Sequence, residues 1–289
     1  MNGCQPKCKL SLRTYRLLRG GILSKKKKMA NAPVYYVLAQ AKFNPIAAMG
    51  DKYVNDIQDQ LRHVGYTLFA QQNFAQFRFG NSSEASPQIL QATQWLISKE
   101  NRTSGFILTN SSLMYHTTHY ETSEEFIPEF LRGLGIVHKV VKLDHLSRLG
   151  LRYLDAVLPP SNEVVSQYLV SGLHGIDFNA DREYTLTESV FQTRSNPLLS
   201  RGKLVVRVLQ LASSLLRYPP DLSPQGLVPM KRFEIKKPCS HALIDTDHFV
   251  EGRMPVDFDK IKAQLFSLHA VNKEAFERTV TSHAKHVWA

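Results

Sequence analysis

Alternation of apolar and polar positions divides the first half of the chain into short strands. Apolar and aromatic residues run almost unbroken through 34–43, and Asn44-Pro45 then ends the strand. The same kind of pattern predicts further strands at 74–79, 95–98, 105–110 and 112–120. Because short polar turns separate the last three of these, we expect them to pair as an antiparallel meander.

A second group of strands follows in the other half. The segment 146–158 alternates cleanly, which places Arg148 and Arg152 on one face of a strand and apolar residues on the other. Residues 184–194 and 203–211 predict a hairpin, and 241–249 a last strand. Five prolines within 218–238 predict a long loop or linker between them.

Helical spacing of apolar residues predicts five helices. The first lies near 53–64, the second begins at Ser123 and closes at 133–135, and the third covers 162–173. We expect Asp257 to cap a fourth helix and Asn272 to cap a separate last one.

These elements favour an α+β fold of antiparallel sheets in meanders, with helices packed on one face. Strands followed by a helix occur in both halves of the chain, so the sequence allows a divergent duplication with its join near Pro159-Pro160. We therefore divide the chain into a basic leader at 1–28, an N-terminal α+β half at 29–160 and a C-terminal α+β half at 161–289.

Positive charge is concentrated in the leader. The chain carries 36 Lys and Arg against 25 Asp and Glu, a net charge of +11, and nine of the cations precede Met29 without any acidic residue. The rest of the chain is close to neutral, so nucleic-acid binding is suggested only by the leader. Three explanations stay open: an extension upstream of a start at Met29, which we favour, a disordered basic arm that contacts phosphate or anionic lipid, or a transit peptide. We expect the leader to be disordered and dispensable for stability.

Cysteine usage and hydropathy bear on the compartment. Only Cys239 lies beyond the leader, so no disulfide can form within the remaining chain, which favours a reducing, cytoplasmic setting. No stretch approaches about 18 uninterrupted apolar residues, and the leader lacks the continuous apolar core of a secretory signal. The sequence therefore predicts no membrane partner.

Three stretches together resemble one protein family. They are the strand at 34–45 after Met29, the segment 148–155 (RLGLRYLD) and the closing segment 268–281 (LHAVNKEAFERTVT), which follows ALIDTD at 242–247. In this order they are similar to a sporadically distributed bacterial family of uncharacterised function, over residues 33–288. The resemblance implies a soluble bacterial protein that begins near Met29, and it implies no catalytic residues. The basic C-terminal end departs from the acidic, amide-rich ending of that family.

The strongest recognition feature is a pair of arginines. Arg148 and Arg152 share a strand face with Gly150 between them, and two guanidinium groups beside bare backbone could hold a phosphate or carboxylate. Ion pairs with acidic residues on a neighbouring strand are the simpler explanation, which we favour. Asp245 and Asp247 also share a strand face and allow one divalent cation, although solvated or arginine-paired carboxylates are the default.

Other chemistry is weakly signalled. His116 and His119 point to opposite faces of a strand, and His283 with His286 shares a helix face but lacks a third ligand. No glycine-rich phosphate loop, zinc-type cysteine pairing or hydrolase motif occurs in the sequence. We therefore predict neither a metal site nor a cofactor.

The leading hypothesis is a non-enzymatic interaction or accessory protein of a sporadically inherited bacterial system, which binds a protein partner or an anionic ligand. The alternative is an enzyme that acts on a phosphorylated or nucleotide ligand through the two arginines and two aspartates. Whether any reaction is catalysed stays open, and we lean toward none.

Overall fold

One continuous antiparallel sheet organises the residues that the computed structural model describes, 29–78, 88–176, 178–179 and 181–289. The leader and its predicted disorder lie outside these residues. The nine strands found in them are β1 (Val34–Phe43), β2 (Leu68–Arg78), β3 (Gln88–Ser98), β4 (Ser104–Leu108), β5 (Ser112–Thr117), β6 (Leu146–Val157), β7 (Tyr184–Arg194), β8 (Arg201–Ser213) and β9 (Cys239–Met254). The predicted α+β class with antiparallel pairing is confirmed.

Two strands that are distant in sequence, β1 and β6, lie side by side within the spatial order β2-β3-β4-β5-β1-β6-β9-β8-β7. β1 also pairs with β5, and β6 also pairs with β9. In the group β1 to β5, the first strand thus pairs with the last, and the same holds for the group β6 to β9. A division by strand order would fall just before β6, whereas the sequence placed it near residue 160. The two halves and their duplication stay predictions.

Four α-helices accompany the sheet in the described residues: α1 (Val54–His63), α2 (Ser123–Val141), α3 (Phe258–Thr279) and α4 (Ser282–Val287), with a π-helical turn at Met49–Tyr53 ahead of α1. The first three bury their apolar sides in one core, which includes Ile57, Phe130 and Leu265. They cover the face of β6 that carries Leu149 and Leu151, and we call it the helix face. None of these helices is long and apolar enough to cross a lipid bilayer.

The opposite face carries Arg148 and Arg152, and we call it the arginine face. Residues 214–238, the proline-rich segment, cover part of it. Tyr218 and Phe233 of this segment pack with Tyr36 and Leu154 of the sheet. The stretch predicted as a loop or linker is therefore a loop that shields one side of the sheet.

Glycines expected to end α2 lie inside it. The helix continues past Gly133 to Val141 and ends where Lys142 adopts the left-handed conformation, with φ at 60°. A Cβ atom at Gly133 would lie 2.2 Å from the ring of Phe106, so this glycine lets α2 approach β4 closely. The predicted end of α2 at 133–135 is wrong, because glycine is favoured both where a helix ends and where a helix packs closely against a neighbouring element.

Asn272 does not begin a new helix. The predicted cap Asp257 is confirmed, since its side chain accepts from the backbone N–H of Lys260, but the helix then runs through Asn272 to Thr279. Asn272 is buried, and its Nδ2 donates to the carbonyl oxygen of Leu151 at 3.1 Å. Its side-chain amide thus links α3 to β6. The local sequence does not show whether an asparagine makes such a tertiary hydrogen bond or caps a helix.

The segment predicted as a helix at 162–173 is irregular. It forms two short 3-10 turns, Val165–Gln167 and Ser171–Leu173. The backbone between them pairs with the end of α3 through a bridge between Leu169 and Val280. This pairing occupies backbone groups that a continuous helix would use internally, so the helix prediction is wrong here.

Candidate functional site

The four residues singled out in the sequence lie together on the arginine face. Arg152 donates to Asp245 in bidentate fashion, from Nε to Oδ1 at 2.7 Å and from Nη2 to Oδ2 at 2.8 Å. It also donates to Asp221 of the proline-rich segment at 2.5 and 3.2 Å. The guanidinium group of Arg152 is therefore held between two carboxylates.

Arg148 lies further along the same face. Its Nη1 donates to Glu251 at 2.9 Å and its Nη2 to Asp247 at 3.3 Å, while its guanidinium carbon lies 3.5 Å from the ring centroid of Phe249. Arg207 of β8 adds a second cation to Asp245 at 3.2 Å. The structure thus holds all four residues in two neighbouring sets of ion pairs, Arg148 with Asp247 and Arg152 with Asp245, which we together call the ion cluster; such pairing is the simpler explanation given above. Their role in ligand binding stays a prediction.

Protonation in this cluster follows from burial and neighbouring charge. Burial opposes the charge of Arg152, but its bonds to Asp245 and Asp221 raise its pKa. Burial acts to raise the pKa of Asp221, yet the hydrogen bonds and charge of Arg152 hold that pKa below its ordinary value. Burial raises the pKa of Asp247 against the opposing charge of Arg148. Arg152 is therefore cationic, with donors already directed at protein carboxylates.

The helix face of the same strands holds a small chamber that the sequence analysis did not single out. Its volume is about 130 Å³, and its walls come from β1, β6, β9, α3 and the segment before α2. Its apolar and aromatic lining consists of Met29, Ala32, Pro33, Val34, Tyr120, Tyr153 and Phe276, and its other lining residues are Asp155, Thr246, His269, Asn272 and Lys273.

Strand geometry places Asp155 in this chamber. Alternation along β6 puts Tyr153 and Asp155 on the helix face, and Thr246 of β9 lies directly opposite Tyr153. Val34 of β1 lies opposite Asp155, beside a shift of register between Val34 and Tyr36. Such a bulge redirects side chains locally, so the end of β1 forms a wall without supplying a partner for the carboxyl.

Two buried polar atoms in the chamber, the Oγ1 of Thr246 and the Oδ1 of Asn272, lack a hydrogen-bond partner among the described residues. The carboxyl of Asp155, a residue that is 6% exposed, is the third polar group here; it makes no hydrogen bond to a described residue, and burial is the cause of its raised pKa. Leaving one buried polar group unsatisfied costs about 1–3 kcal/mol, and an ionised group costs more. Three of them around one small space indicate a site that an occupant completes.

Burial raises the pKa of the Asp155 carboxyl to about 8, so it is mostly protonated at neutral pH. Burial also raises the pKa of Tyr153, and it raises that of Tyr120 to about 12. Burial, aided by the charge of Lys273, lowers the pKa of His269, whose Nδ1 lies 2.9 Å from the Tyr153 hydroxyl. At neutral pH the inner chamber is thus lined mainly by uncharged groups, a state that an entering charge would change.

The chamber continues into a cleft of about 710 Å³. Six residues line both spaces: Met29, Ala32, Val34, Tyr120, Lys273 and Phe276. The backbone N–H of Asn31 donates to the carbonyl of Trp288 at 3.1 Å, which ties the N-terminal wall to the segment after α4. Arg232, Lys285, Glu121 and Glu277 add charge to the cleft. A volume of this size with apolar walls and a few polar groups is typical of a binding site.

The sequence carried a signal for Asp155 that was missed. Positions 149, 151, 153, 155 and 157 form one face of the strand predicted at 146–158, and Asp155 is the charged residue among them. A carboxyl at a core-facing position conflicts with the surrounding apolar pattern, and such conflicts concentrate at functional sites. Thr246 and Asn272 gave no comparable signal, since uncharged polar residues are common in strands and helices.

The histidines considered as metal ligands have other contacts. The Nδ1 of His116 lies 2.9 Å from the hydroxyl of Tyr36, and the Nε2 of His283 lies 3.0 Å from the Oε2 of Glu163. Within the described residues, no group of three His, Cys, Asp or Glu side chains is arranged to hold a metal ion.

No protein-family model, curated protein or solved structure matches this chain. The resemblance to a sporadically distributed bacterial family stays a prediction. The chemistry of the chamber and cleft is therefore the basis for interpreting the site.

Proposed function

We propose that this protein is a non-enzymatic binding protein, an accessory component that holds a segment of a protein partner in the cleft. The observation that carries the proposal is the set of unpartnered polar groups at the inner end of an open cleft. These groups are already desolvated in the free protein. An occupant that supplies hydrogen bonds therefore gains their full interaction without a further desolvation cost on the protein side.

The dimensions and charge of the cleft favour a polypeptide segment. A space of about 710 Å³ holds several side chains, and charged residues of both signs surround its apolar walls. This combination suits a peptide with one anchoring side chain and polar neighbours. An anionic ligand on the arginine face is less well supported, because Arg152 already bonds Asp245 and Asp221.

Blocking the cleft tests the proposal. Ala30 is exposed and lines the cleft, so Ala30→Trp should fill part of it without disturbing the core. Ala47→Trp is the matched control, since Ala47 is exposed and does not line the cleft. A fragment library screened by ligand-observed NMR should give binders that Ala30→Trp loses and Ala47→Trp keeps. Fragments that bind Ala30→Trp as well as the native protein, or a screen that gives no binders, would reject the cleft as the binding site.

An enzyme is the second candidate, because the chamber holds a carboxyl with a pKa of about 8. A group that titrates near neutral pH beside Tyr153 and His269 could exchange a proton with a substrate. Mass spectrometry of the bound fragments after long incubation separates the two functions. Unaltered compounds support binding alone, whereas a product formed by the native protein and not by Asp155→Asn would establish catalysis.

A further inference from the structure

The chamber presents oxygen acceptors from three different elements. Asp155 contributes its carboxyl from β6, Thr246 its hydroxyl from β9 and Asn272 its amide oxygen from α3. The orientation of the Asn272 amide is fixed, because only its Nδ2 can donate to the carbonyl of Leu151 at 3.1 Å. Among the described residues, these acceptors make no hydrogen bonds with one another. Once the Asp155 carboxyl is ionised, the site is rich in acceptors, and a group rich in donors would complete it.

A primary ammonium group matches these acceptors in number and charge. It carries three N–H donors and one positive charge, which the carboxylate of Asp155 would balance. The rings of Tyr120 and Tyr153, with centroids 5.6 Å apart in an edge-to-face arrangement, add aromatic surface that favours a cation. A hydroxyl or a water supplies fewer donors and leaves the carboxylate without a counter-charge.

We propose that the chamber receives the ammonium group of a lysine side chain on a protein partner. This inference rests on the proposed function and names the group that the cleft recognises. The four-carbon stem of a lysine would cross the apolar walls formed by Val34 and Phe276, while the partner backbone occupies the wider cleft. A free alkylamine would leave most of the 710 Å³ cleft unfilled.

Charge in the cleft indicates the neighbours of that lysine. Arg232, Lys273 and Lys285 line it with Glu121 and Glu277, so cations outnumber carboxylates. A partner lysine flanked by acidic residues would complement this balance, whereas a run of basic residues would be repelled. The expected recognition element is an acidic segment with one lysine.

Binding of the ammonium should depend on the protonation of Asp155. The ionisable groups around the Asp155 carboxyl come from β1, β6, the segment before α2, and α3: Tyr35, Tyr153, Tyr120, His269 and Lys273. Burial raises the pKa of each of these tyrosines and lowers the pKa of His269, so all four are neutral between pH 7 and 9. Below about pH 8, binding of a cation therefore releases one proton, and affinity should rise about tenfold per pH unit.

Calorimetric titration of the full chain at pH 8 with a capped tripeptide, glutamate–lysine–glutamate, tests the inference. The matched probe is the same peptide with norleucine, which keeps the stem and lacks the ammonium group. We expect the lysine peptide to bind at least about tenfold more tightly, and Asp155→Asn to reduce its affinity about a hundredfold. Thr246→Val should cause a smaller loss, about tenfold, because it removes one neutral acceptor. Asp259→Asn, at an exposed position on α3, should leave binding unchanged.

Several results would overturn the inference. Equal binding of the norleucine peptide would show an apolar site, and affinity that does not change between pH 6 and 8 would exclude a role for Asp155 ionisation. Butylammonium that binds as tightly as the lysine peptide would reject the lysine of a partner as the source. Calcium binding that requires Asp155, with no peptide binding, would assign the oxygens to a metal ion. Fragments that bind the cleft while every amine fails would leave the proposed function standing without this inference.

Discussion

Arg152 and Asp155 lie three residues apart on β6 and are almost equally buried, with 7% and 6% of their surfaces exposed. Their surroundings are opposite. Arg152, on the arginine face, makes four hydrogen bonds to Asp245 and Asp221. Asp155, on the helix face, makes no hydrogen bond or ion pair with any described residue and borders the chamber.

The difference in hydrogen-bond partners indicates a structural role for Arg152 and a binding role for Asp155. A buried charge with its partners in place contributes to the fold and has few donors left for a ligand. A buried carboxyl without partners destabilises the fold when it ionises, and natural proteins keep such groups mainly where function requires them. A change at Arg152 should therefore alter stability, and a change at Asp155 should alter pH dependence and binding.

The largest expected effect comes from Arg152→Leu. Removing the cation leaves Asp245 buried with only Arg207 beside it, and breaking a buried ion pair costs about 3–5 kcal/mol. Because Arg207 remains, we expect the lower end of this range. Urea unfolding at pH 7 measures the change, and an unaltered midpoint would show that the cluster does not support the fold.

Two controls sharpen this result. Arg148→Leu should cost less than Arg152→Leu, because one of its partners, Glu251, has a side chain that is 59% exposed and its bond to the buried Asp247 is a single, longer one of 3.3 Å. Arg152→Lys keeps the charge and loses the bidentate fork, so its stability should fall between those of the native protein and Arg152→Leu.

A smaller effect that depends on pH is expected for Asp155→Asn. The folded carboxyl keeps its proton up to about pH 8, whereas the unfolded one loses it near pH 4. Between these values the folded state binds more protons, so the native protein loses about 1.4 kcal/mol of stability for each pH unit as the pH rises. The neutral amide of Asp155→Asn has no such loss. The variant should match the native protein near pH 4 and exceed it increasingly toward pH 8.

Melting temperatures of the two proteins across this range measure that divergence. A constant difference at every pH would mean that Asp155 has an ordinary pKa in the folded state. Asp144→Asn, in the exposed loop before β6, is the control and should follow the native curve throughout.

Much of the fold was predictable because strand alternation is a local property. The strand β6, its two faces and the β7–β8 hairpin follow from apolar spacing alone. The pairing of β1 with β6 was not predictable, since the apolar pattern of a strand does not show which distant strand it pairs with. The helix boundaries predicted at Gly133 and Asn272 were wrong. Both residues make tertiary contacts, and glycine and asparagine also commonly end or begin helices.

The arginine face was predictable in part, and the chamber was not. Alternation placed Arg148 with Arg152 and Asp245 with Asp247, but nothing local indicated that Asp221 would fold back from the proline-rich segment. The chamber requires β1, β6, β9 and α3 to meet. Asp155 was visible as a charge on an apolar strand face, whereas the absence of a partner is a property of the assembled fold.

The protonation of Asp155 is the most direct test of the account. Carboxyl ¹³C shifts of the native protein, labelled at aspartate and titrated from pH 4 to 9, should show one resonance with a midpoint at about 8 that is missing from Asp155→Asn. The lysine peptide should move this midpoint to lower pH, because the ammonium group favours the carboxylate. A midpoint near 4 for Asp155 in the free protein would contradict a buried, unpartnered carboxyl and with it the distinction between the two faces of β6.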